Sequence, residues 1–163
     1  MAKMYLMSGC SGVGKTTFAK KFAEDNKLLY LGTDEFYALI NGDETIHENE
    51  FAVWISMYQA IHAAEVNGRD CIIDTNALTA VDRDQFLEWF PSFEHHLIYI
   101  KADEELRRAN NSSRRRQVPE EEMKKMWRRL QEPEWWDLDV RWLTFTCIRN
   151  VDNHFVTEGV YPD

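Results

Sequence analysis

No stretch of the 163-residue chain holds the roughly 18 consecutive apolar residues that a membrane-crossing helix needs. Residues 1–8 carry Lys3 without an extended apolar run, so neither a signal peptide nor a membrane span is expected. Cysteine is scarce. Cys10, Cys71 and Cys147 form no C-x-x-C pair and leave an odd number, which argues against a disulfide framework and a cysteine zinc site. A reducing, cytoplasmic setting is the expectation. Internal repeats, low-complexity tracts and Pro/Gly/Ser-rich linkers are also missing, so nothing marks a boundary and residues 1–163 are expected to form one domain. An excess of positive charge is lacking too. A formal net charge of −9 argues against a polyanionic partner, because nonspecific nucleic-acid affinity rests on phosphate neutralisation.

That average conceals an uneven distribution. From Arg107 to Arg129 nine Lys/Arg (107, 108, 114, 115, 116, 124, 125, 128, 129) face three acids, Glu120, Glu121 and Glu122. The segment is locally +6 and the remainder −15, so a phosphate-rich ligand is expected at this segment. Hydrophobic residues make up 44% of the chain, enough to bury a core. They fall into short apolar runs alternating with helical patterns. Met4–Met7, Leu28–Leu31, Cys71–Ile73 and Leu97–Ile100 read as buried strands, and Trp142 to Ile148 as a fifth. Runs with so little alternation are covered on both faces, which implies a parallel sheet.

Between the strands, Phe18, Phe22 and Ala23 outline a helix from about Lys15 to Asp25, a second spans Glu35–Ile40, and Phe51, Ile55, Tyr58 and Ile61 outline a longer one. Thr79 with Asp82 has the spacing of a capping box. Pro119 at a first helical position opens a helix whose Met123, Met126, Trp127 and Leu130 share one face, and which ends before Pro133. Strand and helix alternate throughout, so the class is α/β.

Gly9-Cys10-Ser11-Gly12-Val13-Gly14-Lys15-Thr16 fits G-x-x-x-x-G-K-[ST], follows a predicted strand and opens a predicted helix, the context that gives the motif its meaning. Glycines let backbone N–H groups converge on anionic oxygen at a helix N-terminus. Lys15 then reaches the β- and γ-phosphates of ATP, and Thr16 ligates Mg²⁺. Thr17 completes the expected ATP-binding set. The carboxylate Asp34 follows the second predicted strand and Asp74 closes the third, beside the phosphate loop, where a base for a poorly nucleophilic hydroxyl is needed.

The D-T-N stretch Asp74-Thr75-Asn76, and Asn111-Ser112-Ser113-Arg114 followed by Val118-Pro119, resemble the kinase domain of the bacteriophage polynucleotide kinase-phosphatase and related bacterial P-loop kinases. With the phosphate loop, the similarity runs from about residue 4 to residue 131. It implies a nucleoside-kinase-like P-loop NTPase fold: five parallel strands flanked by helices, with residues 102–131 as a basic helical lid. The resemblance makes Asp34 the base that takes the proton of a 5′-hydroxyl, and Asp74 its support, although Asp74 also stands where a carboxylate holds Mg²⁺ through water. Asn76 falls with the acceptor site. Arg114 matches the lid arginine that approaches the transferring phosphoryl group, with Arg115 and Arg116 as alternatives. Tyr37 stands where the family carries an arginine that clamps the acceptor's 3′-phosphate. The family's phosphatase module has no counterpart here, so kinase activity alone is expected, on the 5′-hydroxyl end of RNA or DNA.

Other acceptors fit the same motif: a nucleoside, a nucleotide, another small hydroxyl compound or a hydroxymethylated base in DNA. A nucleotide-dependent switch is a further alternative, against which Asp34 weighs. Trp135 and Trp136 read as packing at the end of the sheet, and His95 and His96 as partly exposed residues preceding a strand. Cys10 sits at a helix N-terminus, where a thiol pKa is lowered.

Overall fold

A computed structural model describes residues 1–163. Strands β1 (Lys3–Ser8), β2 (Leu29–Gly32), β3 (Cys71–Asp74), β4 (Glu94–Ala102), β5 (Trp142–Val151) and β6 (His154–Tyr161) form one sheet in the order β2-β3-β1-β4-β5-β6. The helices are α1 (Lys15–Asn26), α2 (Thr33–Asn41), α3 (Glu50–Val66), α4 (Ala80–Trp89), α5 (Glu104–Ser112) and α6 (Glu120–Arg129). All five predicted strands pair in parallel, whereas β6 runs antiparallel along β5, so the sheet has six strands and is mixed. Sequence reading misses β6 because Phe155-Val156-Thr157-Glu158 has no continuous apolar run. Asp152 and Asn153, at φ 50° and 65°, turn the chain between β5 and β6, as a two-residue hairpin of the I′ kind requires.

Successive residues of a strand point to opposite faces, and the central strands are apolar at both. Met4, Leu6, Cys71, Ile73, Leu97 and Tyr99 pack against Met57 and Ile61 of α3 and Phe86 and Leu87 of α4. Met7, Ile72, Ile98 and Ile100 face the other way, onto Ala19 and Ala23 of α1. Ile72 and Ile73 are completely buried, one on each side. Covered on both faces, the sheet sends the carboxyl ends of β1, β2 and β3 to a common edge.

Several local expectations change. His95 and His96 lie inside β4 and are 4% and 9% exposed, because β4 begins at Glu94 rather than Leu97. His95 Nε2 lies 2.8 Å from the Phe90 carbonyl, and His96 Nδ1 lies 2.8 Å from Thr144 Oγ1. Trp135 packs on the core and stacks on Tyr161 at 6.1 Å, whereas Trp136 is exposed. Pro119 is the N-cap of α6 and not its first residue. On that helix Met126 and Leu130 pack inward, while Trp127 turns outward beneath the Arg107 guanidinium, 4.0 Å from its ring. The capping box of α4 forms as read: Thr79 Oγ1 accepts from the Asp82 N–H at 3.0 Å, and Asp82 accepts from the Thr79 N–H at 3.3 Å.

Candidate active site

Between β1 and α1 the loop Gly9–Gly14 takes a path that side chains would block. At Gly12, φ 87°, an added Cβ would strike the Arg107 carbonyl oxygen, and at Gly9, φ 149°, it would come 2.5 Å from the Ile100 carbonyl oxygen. The loop is fixed from several sides: the Gly9 N–H donates to the Asn76 carbonyl at 2.9 Å, and the amides of Asn110 and Asn150 donate to the Gly12 and Val13 carbonyls, each at 2.9 Å. Lys15 Nζ donates to the Cys10 carbonyl at 2.9 Å. Burial pulls its pKa down to about 8, against the nearby charge of Asp74.

Ser11, Gly12, Gly14, Lys15, Thr16 and Thr17 border a cleft of about 1060 Å³ that Asp34, Tyr37, Asp74, Asn76 and Arg114 also line. Gly9, Cys10 and Val13 do not line it, and the Cys10 and Val13 side chains belong to the core beneath. Cys10 is 4% exposed, and burial raises its thiol pKa more than the charges of Lys15 and Arg107 lower it. The expected activation of this thiol is therefore reversed.

Asp74 ends β3 next to the loop. Its Oδ2 accepts from Thr16 Oγ1 at 2.7 Å and from the Tyr30 hydroxyl at 2.5 Å. Burial, reinforced by the Asp74 charge, pushes the Tyr30 phenol pKa upward, so it stays a donor. No motif points to Tyr30. The Thr16 hydroxyl and the Asp74 carboxylate are hard oxygen donors at one point, a set that suits Mg²⁺ and not a soft metal. No cluster of three His, Cys, Asp or Glu side chains is present to hold a metal by itself.

Asp34 lies in the first turn of α2, whose N-cap is Gly32 without a side-chain bond, so neither Thr33 nor Asp34 caps the helix. Thr33 Oγ1 instead donates to the Asp74 carbonyl at 3.1 Å. Arg114 Nη2 reaches Asp34 Oδ2 at 3.3 Å, and His47 Nε2 lies 3.7 Å from Oδ1. The His47 ring stacks on Tyr37 at 3.8 Å and 10°, and Tyr37 is 6% exposed. Burial, then the charge of Arg116, lowers the His47 pKa, so this ring is neutral at pH 7. His47 stands alone in a loop, and only its tertiary position marks it.

The three arginines of the α5–α6 loop separate by partner. Arg114 meets Asp34, Arg115 binds Asp43 at 2.9 Å with Glu44 at 3.8 Å, and Arg116 forms no ion pair. Much of the local +6 is answered inside the molecule as well. Arg108, Lys124, Lys125 and Arg129 pair with Glu104 and Glu120, Glu121, Glu122 and Asp82. The buried Arg107 donates to the Ala102 carbonyl at 2.8 Å.

The fold is shared with solved kinases at identities too low to carry more than the fold. A sugar kinase from Janibacter sp. HTCC2649 superposes with a TM-score of 0.67 at 20% identity over 91% of this chain and 86% of that one. A gluconokinase from Sinorhizobium meliloti 1021 gives 0.62 at 15%, over 90% and 82%. A chain of the Pnkp1/Rnl/Hen1 RNA repair complex gives 0.70 at 19%, over 80% of this chain but 44% of that one. Residues 4–133, from β1 through α6, match the AAA domain family model, so the chain belongs to the AAA domain family, with a kinase-like P-loop fold.

Proposed function

We propose that the protein is an ATP-dependent phosphotransferase that delivers the γ-phosphoryl group to the 5′-hydroxyl end of a polynucleotide. The observation that carries the phosphotransferase reading is the meeting of Asp34 and Arg114, 3.3 Å apart, in the cleft that Lys15 and Thr16 also line. Backbone N–H groups of Gly12–Thr16 and the α1 N-terminus bind the phosphates, and Lys15 exchanges the Cys10 carbonyl for β- and γ-oxygens. Thr16 and Asp74 would hold Mg²⁺, which neutralises phosphate charge when bound. Asp34 receives the acceptor proton as the hydroxyl oxygen bonds to the γ-phosphorus and the β–γ bridging bond breaks, releasing ADP. Arg114 is held beside that point by Asp34, and its charge offsets charge developing on the equatorial oxygens. Residues 102–131 act as the lid that carries it.

The polynucleotide end is supported by the Asp74-Thr75-Asn76 stretch and by Arg114 followed by Val118-Pro119; Asp74, Thr75, Asn76 and Arg114 all line the cleft. A second reading, a small hydroxyl acceptor, is favoured by a specific feature. Tyr37 is closed against His47, and Arg115 is neutralised by Asp43 and Glu44, which leaves Arg116 as the unpaired guanidinium on this wall. Incubation with γ-labelled ATP and Mg²⁺ beside 5′-hydroxyl RNA and DNA oligonucleotides, nucleosides and nucleoside monophosphates tests both. Labelled oligonucleotide ends are expected. Labelling of nucleosides or monophosphates with none on any oligonucleotide ends the polynucleotide reading.

A further inference from the structure

The cleft extends past Asp34 to a wall built by α3 and α4. On α4, Gln85, Phe86 and Trp89 border it at the spacing of one helical stripe, and on α3 Trp54 does so one turn after Glu50. Continuity with the hydroxyl site is visible at Glu50, whose charge acts on Tyr37. Phe86 is 4% exposed and belongs to the core, but Trp89 is 43% exposed and Trp54 is half-buried. An indole left this open on a cleft wall forgoes burial that the same helix gives to Phe86. The rings beside Trp89 meet it steeply, Phe86 at 62° and Tyr58 at 71°, and no aromatic ring stacks on either indole.

We infer that Trp54 and Trp89 form a stacking subsite for a planar heteroaromatic ring: the nucleobase of the nucleoside whose hydroxyl is attacked. The inference rests on the polynucleotide reading and adds to it how the terminal nucleoside is gripped. The chemistry fits this occupant in three ways. Indole faces accept any base without sequence preference. The Gln85 amide, exposed on the same stripe, offers a donor and an acceptor to a base edge. Lys125 and Arg129 border the same cleft, held only by the surface carboxylates Glu122 and Asp82, which a following phosphate can displace at little cost. Gripping the base here also compensates for the missing arginine clamp at Tyr37.

The test compares 5′-hydroxyl oligonucleotides whose terminal nucleotide is intact or abasic, and in parallel nucleosides against bare ribose, with wild type, Trp89→Leu and Trp89→Tyr. The expected result is an acceptor KM raised about tenfold by loss of the base in the wild type, and by Trp89→Leu on the intact acceptor. The abasic acceptor should be indifferent to Trp89→Leu, Trp89→Tyr should restore the wild-type KM, and the KM for ATP should not move. Far-UV circular dichroism and Tm separate this from misfolding, as does the split between the two acceptors. Oligonucleotides phosphorylated equally well with and without the terminal base, or a Trp89→Leu loss equal on both, overturn the subsite and leave the polynucleotide reading standing. Phosphorylation of nucleosides alone, with a Trp89-dependent preference over ribose, overturns that reading and keeps the subsite.

Discussion

Lys15 and Asp34 stand for two different kinds of local control. The Lys15 ammonium is buried against the Cys10 carbonyl with its pKa lowered from the usual lysine value to about 8, so the charge that greets ATP is conditional on pH. As pH rises through 8, the free protein loses this charge while the phosphates keep theirs. ATP affinity should therefore be level up to about pH 7.5 and then fall, approaching tenfold per pH unit above 8. Isothermal titration across pH 7 to 9.5 reads this directly, and a flat profile would show that Lys15 keeps its proton. Asp34 makes no hydrogen bond or ion pair with the phosphate loop, so Asp34→Asn should retain ATP binding while transfer falls roughly 10²-fold or more. Single-turnover rates beside ATP affinities decide it: equal loss of both would make Asp34 a ligand or a structural residue. Its exchange with Arg114 is half-exposed, so little stability should change with it.

At the level of elements, α4 shows how a short sequence signal carries a distant consequence. Its capping box fixes Thr79 and Asp82, and Asp82 also accepts from Arg129 of α6 at 3.4 Å. At the first residue of α4 the Ala80 N–H donates to Gln131 Oε1, and the Gln131 N–H donates to the Leu78 carbonyl, both at 2.8 Å. The start of α4 thus anchors the C-terminal end of α6. Thr79→Ala should cost about 1 kcal/mol, or a Tm lower by about 2–4 °C, as a lost N-cap does. Because the cap positions Asp82, which also holds Arg129 of α6, the acceptor KM should rise as well, and a Tm change with unaltered kinetics would show that the cap and α6 are independent. Between α5 and α6 the Asn111 amide donates to the Val118 carbonyl at 2.8 Å, and Arg115 reaches across to Asp43. The Arg115–Asp43 pair is exposed, so breaking it costs little.

For the whole molecule the sheet is the reference frame, and β4 buries two adjacent imidazoles within it, His95 and His96. Both rings have pKa values lowered by burial, so protons bind the unfolded chain first as pH falls below about 6.5. Stability from these groups is complete above that pH and declines below it, by at most about 1.4 kcal/mol per pH unit for each ring. Urea midpoints should drop between pH 7 and 5, and His96→Gln should flatten part of the slope. An unchanged midpoint at pH 5 would mean both rings gain protons in the fold. The phosphate loop could be read from the chain because its eight residues are contiguous and its demands on glycine, lysine and a helix N-terminus are local. The core strands and the α4 cap were legible for the same reason, each being a periodicity or a spacing of a few residues. Asp34 and Arg114 are 80 residues apart, and Thr16 and Asp74 are 58 apart. Those meetings, the Tyr37–His47 stack and the burial of Cys10 follow from strand order and from which helix covers which face. The antiparallel β6 needed β5 as a partner before its half-polar sequence could become a strand. Local chemistry is written in neighbouring residues, whereas a side chain's final partner and solvent exposure are set by segments distant in the chain, and only packing brings them together.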